Sequence, residues 1–234
     1  MDRRAAVLAL DTASPTVSVA VGWDGEVAAH REVEIGRSSE RLLGMMAEVL
    51  AEAGLAGPGD LAGLVALAGP GSFTGLRVGL ATALGIHQAL GVPATALPTL
   101  GVLAAAAPAE AHRVVAVVDV LRGEWAVGQH RATGGPGPPD AVGPARRLTT
   151  AELVALLAAA APVHAVGFGL GPLAAAFGGA PPAGLHLLEP TALAPVAVRL
   201  ATRHPPAWDA AALTHPVYFR PPAVTLPRQG AGPA

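Results

Sequence analysis

Residues 61–97 read LAGLVALAGPGSFTGLRVGLATALGIHQALGVPATAL, and their order decides the fold. A short apolar run at 64–67 enters a loop with glycines at 69, 71 and 75. Helical spacing of apolar residues then holds over 76–90, and an extended piece follows at 92–97. Strand, glycine-rich turn, helix, strand is a βαβ-type unit. A loop opening a helix can hold a phosphate, because unpaired N–H groups and the helix dipole favour an anion there. The familiar versions do not fit. A Walker-type loop needs Gly-Lys-Ser/Thr, and the chain has no lysine, Arg77 being the nearest cation. Gly69, Gly71 and Gly75 are spaced one residue too far for G-x-G-x-x-G, and no Asp or Glu occurs between Asp60 and Glu110 to hold a ribose. Pro70 and Thr74 stand where a nucleophile elbow around Ser72 needs glycine. Gly69, Pro70, Gly71, Ser72, Phe73, Thr74 and Gly75 are therefore read as a tight turn that lets helix and sheet approach closely, with direct nucleotide binding the weaker alternative.

Towards the N-terminus, 6–10 reads as a buried strand ending at Asp11, Pro15 marks a turn, and 17–21 returns. Asp24-Gly25 is a hairpin signal, so 26–34 is a third strand. Ser38 or Ser39 caps a helix that runs to about 53. Leu42, Leu43, Met46, Val49, Leu50 and Ala53 form its inward stripe. Glu40, Gly44, Ala47 and Ala51 share the opposite side, with Arg41, Glu48 and Glu52 on a flank. Small residues there mean close approach of another helix or, in a chain this rich in alanine, nothing. The 76–90 helix is apolar nearly all round: Leu76, Gly79, Ala83, Ile86 and Leu90 fall on one side, Val78, Gly85 and Ala89 on another. One sheet covers one side, so the rest calls for the helix from Ser38 or a partner protein.

Beyond Pro98 come a short helix at 99–107, a second buried strand at 114–118 ending at Asp119, and a hairpin into 124–129. This repeats the N-terminal plan of apolar strand, acid, turn and returning strand. Residues 133–144 are Gly/Pro-rich and read as an irregular loop, and Thr149-x-x-Glu152 is a capping box for 151–161. A strand at 163–167, a loop at 178–184 and a helix from Pro190-Thr191 or Pro195 to about 202 follow. From Pro216 the chain reads as extended, with a flexible tail over 221–234.

The 234 residues carry a net charge of −2, so composition does not mark a strong electrostatic ligand for nucleic acid. Zero cysteines exclude disulfides, zinc thiolates and cysteine catalysis. All 15 cations are arginine and asparagine is absent, which reads as a GC-rich genome. The longest apolar helical run, 153–161, is too short for a bilayer, and the N-terminus reaches Asp11 too soon for a signal peptide. A soluble, cytoplasmic protein is expected. None of the eight histidines is spaced H-x-x-x-H or H-E-x-x-H, so no metal site is expected, and His87 reads as a packing or interface residue.

GPGSFTGLRVGLATALG from Gly69, with LALDTASPTVSVAVG from Leu8 and PVYFR from Pro216, resembles the TsaB (YeaZ) family. The resemblance is strongest over 7–22 and 64–99 and weaker over 114–128. It implies an α/β, actin-like (sugar kinase/heat-shock ATPase-like) fold of two similar subdomains with a degenerate nucleotide site. Subdomain I would span 1–105, completed by a helix at 190–202, and subdomain II 106–220. Asp11 with Thr12, and Asp119, stand where actin-like ATPases place phosphate- and metal-managing acids; here each is read as a vestigial position whose acid caps its own turn. Phe168, between Gly167 and Gly169, replaces the acid common in the family, and Ser38-Ser39 replaces a frequent His-Ser.

The function the resemblance implies is that of a non-catalytic accessory or dimerisation subunit, without a cofactor. It would bind and activate TsaD, which transfers threonylcarbamoyl to N6 of the adenosine beside the tRNA anticodon, with the ATPase TsaE assisting. The implied partner face comprises Gly44, Ala47, Glu48 and Ala51 of one helix, and Arg77, Val78, Ala81, Thr82, Gly85 and Ala89 of the next. The same face could serve a homodimer, and tRNA would be met only through the complex. The alternatives are a small actin-fold ATPase or kinase using Asp11 and the 69–75 loop, and a self-contained homodimeric scaffold.

Overall fold

A computed structural model of the chain describes residues 5–34, 38–132, 138–178 and 180–219. The side chains of 38–40, and with them the Ser38/Ser39 cap, lie outside the described residues, as does the 221–234 tail. The first half forms β1 (Val7–Asp11), β2 (Thr16–Trp23), β3 (Glu26–Glu34), α1 (Ser38–Glu52), β4 (Gly63–Leu67), α2 (Phe73–Leu90), β5 (Ala94–Leu97) and α3 (Thr99–Ala105). The second forms β6 (Arg113–Asp119), β7 (Glu124–Arg131), β8 (Asp140–Ala141), β9 (Arg146–Thr149), α4 (Thr150–Ala160), β10 (Val163–Gly167), α5 (Gly171–Ala176), β11 (Leu185–Leu188) and α6 (Ala194–Arg203).

Two sheets share one plan. The first runs β3-β2-β1-β4-β5, with β2 antiparallel to β1 and β4 and β5 parallel to it. The second runs β11-β10-β6-β7-β8, again with an antiparallel hairpin (β6, β7) beside parallel strands, and β9 added against β7. This repeated hairpin-then-crossover topology is the actin-like fold.

Alternation along the central strands sorts residues between layers. Leu8, Leu10, Leu64 and Ala66 face an outer core beneath α1 and α2. Val7, Ala9 and Val65 face inward, into a second core that also takes in Val114, Ala116 and Val166 of the second sheet. Between the sheets lie α3 and α6, exchanged between halves: α3 packs on β6 and β7, whereas α6 packs on β1 and β2. Leu100, Leu103, Leu193 and Val198 thus join both lobes in one core. Val115, Val117, Leu153 and Leu157 form a third core under α4.

Several expectations need correction. Leu43 is not inward but 64 % exposed, and Met45, 2 % exposed, takes its place. The buried stripe of α1 is Leu42, Met45, Met46, Val49 and Leu50, continued by Ala53 just past its end, a 3.6-residue period that skips Leu43. The 133–144 stretch, whose residues 133–137 are outside the described set, contains the short strand β8, and β9, α5 and β11 were not anticipated. Each is six residues or fewer, too short for a periodic signal. Thr149 and Glu152 do form a reciprocal capping box at α4. Among the described residues, no helix is long and apolar enough to cross a membrane.

Candidate functional site

The turn between β4 and α2 closes against the segment after β1. Ser72 is the N-cap of α2: its Oγ accepts from Gly75 N–H at 3.2 Å, and its own N–H donates to Ala13 O at 2.8 Å. Buried Thr12 donates its hydroxyl to Gly75 O at 2.7 Å. Within this turn the positive φ falls on Gly69 (φ +103°), not on Gly71 or Gly75. They are instead sites of close approach. A Cβ on Gly71 would lie 2.5 Å from Ala13 O, and one on Gly75 would overlap Thr12 O. Ser72→Ala removes only a cap, so a loss of about 1 kcal/mol in urea unfolding is expected, with function retained. A folded but inactive variant would reinstate Ser72 as a chemical group. On the outer side Arg77 stacks 3.8 Å over the Phe73 ring, Phe73 lies 5.0 Å from the Tyr218 ring, and Arg77 Nε donates to the Tyr218 hydroxyl at 3.3 Å. Pro70 and Thr74 complete the turn, Pro70 buried and Thr74 exposed.

Between the lobes, Asp11 is fully buried, with Oδ1 accepting from Ala13 N–H (2.9 Å) and Ser14 N–H (3.1 Å). Its Oδ2 has no partner. Burial pushes its carboxyl up to about 6, against the opposing effects of Ser14 and Ala13. Asp119 is exposed and spends Oδ1 on Leu121 N–H at 2.6 Å. The cleft between them, lined by Ser14, Gly71, Ser72, Thr99, Asp119 and Phe168, has a volume of about 210 Å³. Small-molecule sites begin near 300 Å³.

The second glycine loop carries a feature sequence reasoning missed. Gly169 and Leu170 donate their N–H groups to the two carboxylate oxygens of Glu189, both at 2.9 Å. Parallel pairing of Val166 with Leu188 brings Glu189 there, 20 residues downstream, and no motif signals it. The chain's own carboxylate fills the place an anion would take. Among the described residues, no three His, Asp or Glu are grouped to hold a metal ion. His87 accepts no such role: its Nδ1 lies 2.9 Å from Val92 O, fastening the end of α2.

The outer layer presents a different surface. Gly44, Ala47, Glu48 and Ala51 of α1 and Arg77, Ala81, Gly85 and Ala89 of α2 are exposed, with Val78 and Thr82 half-buried. Ala47 and Ala51 share an apolar groove of about 260 Å³ with Leu43 of α1 and Ile86 of α2. Leu90 is 53 % exposed beyond it. A Cβ on Gly44 or Gly85 would meet none of the described residues within 4 Å. Glu48 is engaged within the chain, its Oε2 3.1 Å from Arg31 Nε, and Arg77 is held by Phe73 and Tyr218.

Comparison with known proteins places this geometry. The family model described as "TsaD: tRNA N6-adenosine threonylcarbamoyltransferase" matches residues 32–156. The tRNA threonylcarbamoyladenosine biosynthesis protein TsaB of Escherichia coli is 36% identical over 132 residues, 55% of this chain and 57% of that protein. The TsaB of Haemophilus influenzae is 37% identical over 120 residues, 50% of each. The matched part thus spans about half the length of these curated relatives. YeaZ from Pseudomonas aeruginosa superposes with a TM-score of 0.69 at 29% identity, over 84% of this chain and 90% of that one. A second Pseudomonas aeruginosa structure, of a protein described as similar to peptidase YeaZ, gives 0.74 at 30% identity, over 92% of this chain and 100% of that one. EutJ of Carboxydothermus hydrogenoformans, at 11% identity and a TM-score of 0.51, shares the fold alone. With structural coverage of 92% of this chain and 100% of the relative at 30% identity, the chain belongs to the TsaB (YeaZ) family.

Proposed function

We propose that the chain is a non-catalytic subunit of tRNA threonylcarbamoyladenosine synthesis, binding and activating TsaD through the α1/α2 face. The observation that carries this is the uncovered outer layer. Gly44 and Gly85 lie inside helices, where glycine costs about 1 kcal/mol relative to alanine, yet nothing among the described residues requires them. Exposed Leu43 and Leu90 flank them. A closely packed helical partner accounts for both the missing side chains and the exposed leucines. TsaD then carries the threonylcarbamoyl transfer, with TsaE in the larger complex, and a second copy of this chain can occupy the face when TsaD is absent.

The inter-lobe cleft supports the absence of a catalytic role. It is small, Phe168 lines it, Glu189 takes up the Gly169 and Leu170 N–H groups of the neighbouring loop, and Asp11 Oδ1 is spent on its own turn. Copurification with TsaD and reconstituted transfer onto tRNA test the reading. Failure to capture TsaD, or full transfer by TsaD without this chain, would sink it. For the enzyme alternative, titration calorimetry with ATP and magnesium is expected to give no tight binding and no hydrolysis.

Alanine at Asp11 or Asp119 is expected to leave transfer largely intact. A loss of about a hundredfold or more in a folded, TsaD-bound variant would identify a catalytic carboxylate. Asp11 also makes a pH prediction. Its folded-state pKa of about 6 lies above the ordinary 3.8, so the folded state binds the proton more tightly. That contribution is complete below about 3.8 and is lost as pH rises through about 6. The gap corresponds to about 3 kcal/mol. Asp11→Asn keeps the Oδ1 acceptor without the buried charge. The variant should gain on wild type between pH 4 and 7 in urea unfolding, and a constant difference across that range would refute the assignment.

A further inference from the structure

A groove of about 660 Å³ along α6 belongs neither to the cleft nor to the α1/α2 face. It runs between β3 and the end of α3, with Pro138 of the second lobe on one wall. Its apolar side is supplied in part by Val196 and Leu200. Among the described residues its ionisable lining is His30, Arg199, Arg203 and His204, with no carboxylate. Glu26 reaches Arg203 only at 3.8 Å, and Glu32, on the same face of β3 as His30, lies outside the lining. Arg203 is partly committed, donating to Gly25 O at 3.2 Å. Arg199 is exposed and has no acceptor among the described residues.

The inner side of α6 is buried through Ala194, Ala197, Val198 and Ala201, which fixes the helix. Arg199 and Arg203 are therefore held one turn apart, about 6 Å, on a rigid support. Cations of one sign beside an apolar wall suit a phosphodiester with its base turned out of a helix stack, the form in which single-stranded RNA is recognised. The volume admits one nucleotide unit. Because α6 packs on the opposite side of the first sheet from α1 and α2, a partner on that outer face leaves the groove open.

We infer that the α6 groove is a direct RNA contact, receiving one unstacked nucleotide of a tRNA with its phosphate on Arg199 and Arg203. The identity of the RNA rests on the proposed role in tRNA modification; the electrostatic argument does not. The test is fluorescence anisotropy of a labelled tRNA transcript with the full chain, alone and with TsaD, across a salt series. Arg199→Glu is expected to weaken binding about tenfold and lower the salt slope by about 1. Arg146→Glu, an equal charge change on exposed β9, is expected to do much less. Arg199→Gln serves if the reversal impairs folding, which thermal unfolding reports. Equal behaviour of the position-199 and position-146 variants overturns the contact. So does saturable AMP binding dependent on Arg199 while tRNA affinity ignores it, since the groove would then serve a small phosphorylated ligand. TsaD capture is measured separately on the same samples: its absence counts against the subunit role, and loss of the Arg199 effect counts against the groove.

Discussion

Arginine at Ala47 or Ala51 is expected to abolish capture of TsaD while leaving the isolated chain as stable as wild type. Both alanines are exposed on α1 and line the groove shared with Ile86. In the isolated chain the new guanidinium extends into water, and an exposed helical Ala→Arg change is worth about 0.5 kcal/mol or less. In a packed helical seam it must displace a neighbour and lose its hydration. The cost there is about 3 kcal/mol or more, which is over a hundredfold in affinity. Pull-down of TsaD and transfer onto tRNA should therefore fall together, and any self-association of the isolated chain should fall with them. A standard interface buries roughly 1,600 Å², enough to cover the outward sides of both helices. If both variants bind and activate TsaD as wild type does, the α1/α2 pair is not the interface. If only activation falls while binding holds, the face positions TsaD without holding it.

Gly75→Ala is expected to be the most damaging single methyl in the chain, costing about 3 kcal/mol. Its Cβ would overlap Thr12 O, and backbone on both sides leaves no side chain to swing away. The first turn of α2 would have to lift from the end of β1, breaking the bond from the Thr12 hydroxyl to Gly75 O. Gly79 faces the same threonine one turn on, so sliding the helix brings no relief. Domains of this kind are stable by 5–15 kcal/mol, so a loss of about 3 kcal/mol should be plain in urea unfolding. Gly85→Ala is the control, two to three turns along the same helix. Nothing lies within 4 Å of its Cβ, and alanine is the better helix former, so the isolated chain should gain about 0.5–1 kcal/mol. Equal stability of the two variants would show that close approach at Thr12 is not why residue 75 is glycine.

Local chemistry made much of the architecture legible from the sequence alone. Asp24-Gly25 marks the β2–β3 hairpin, the apolar period of 76–90 marks α2, and Thr149 with Glu152 marks the start of α4, because turns, periods and caps act over a few residues. The likeness of the 6–21 and 114–129 segments carried the doubled plan for the same reason, each strand pair being local. What depends on contacts distant in the chain was decided only by the tertiary structure. Leu43 and Met45 are equally apolar, and the direction in which α1 lies on the sheet exposes the first and buries the second. The crowding that demands glycine at 71 and 75 comes from backbone 58 to 63 residues earlier, so the sequence could suggest a strained dihedral but not the neighbour. Glu189 meets the Gly169 loop only because β10 and β11 pair in parallel, and α3 and α6 exchange lobes only because both sheets leave an apolar face to be filled between them. The outward faces of α1 and α2 were visible as patterns of small residues, but only the fold put them side by side, since periodicity records which way a residue points on its own helix and not what stands opposite.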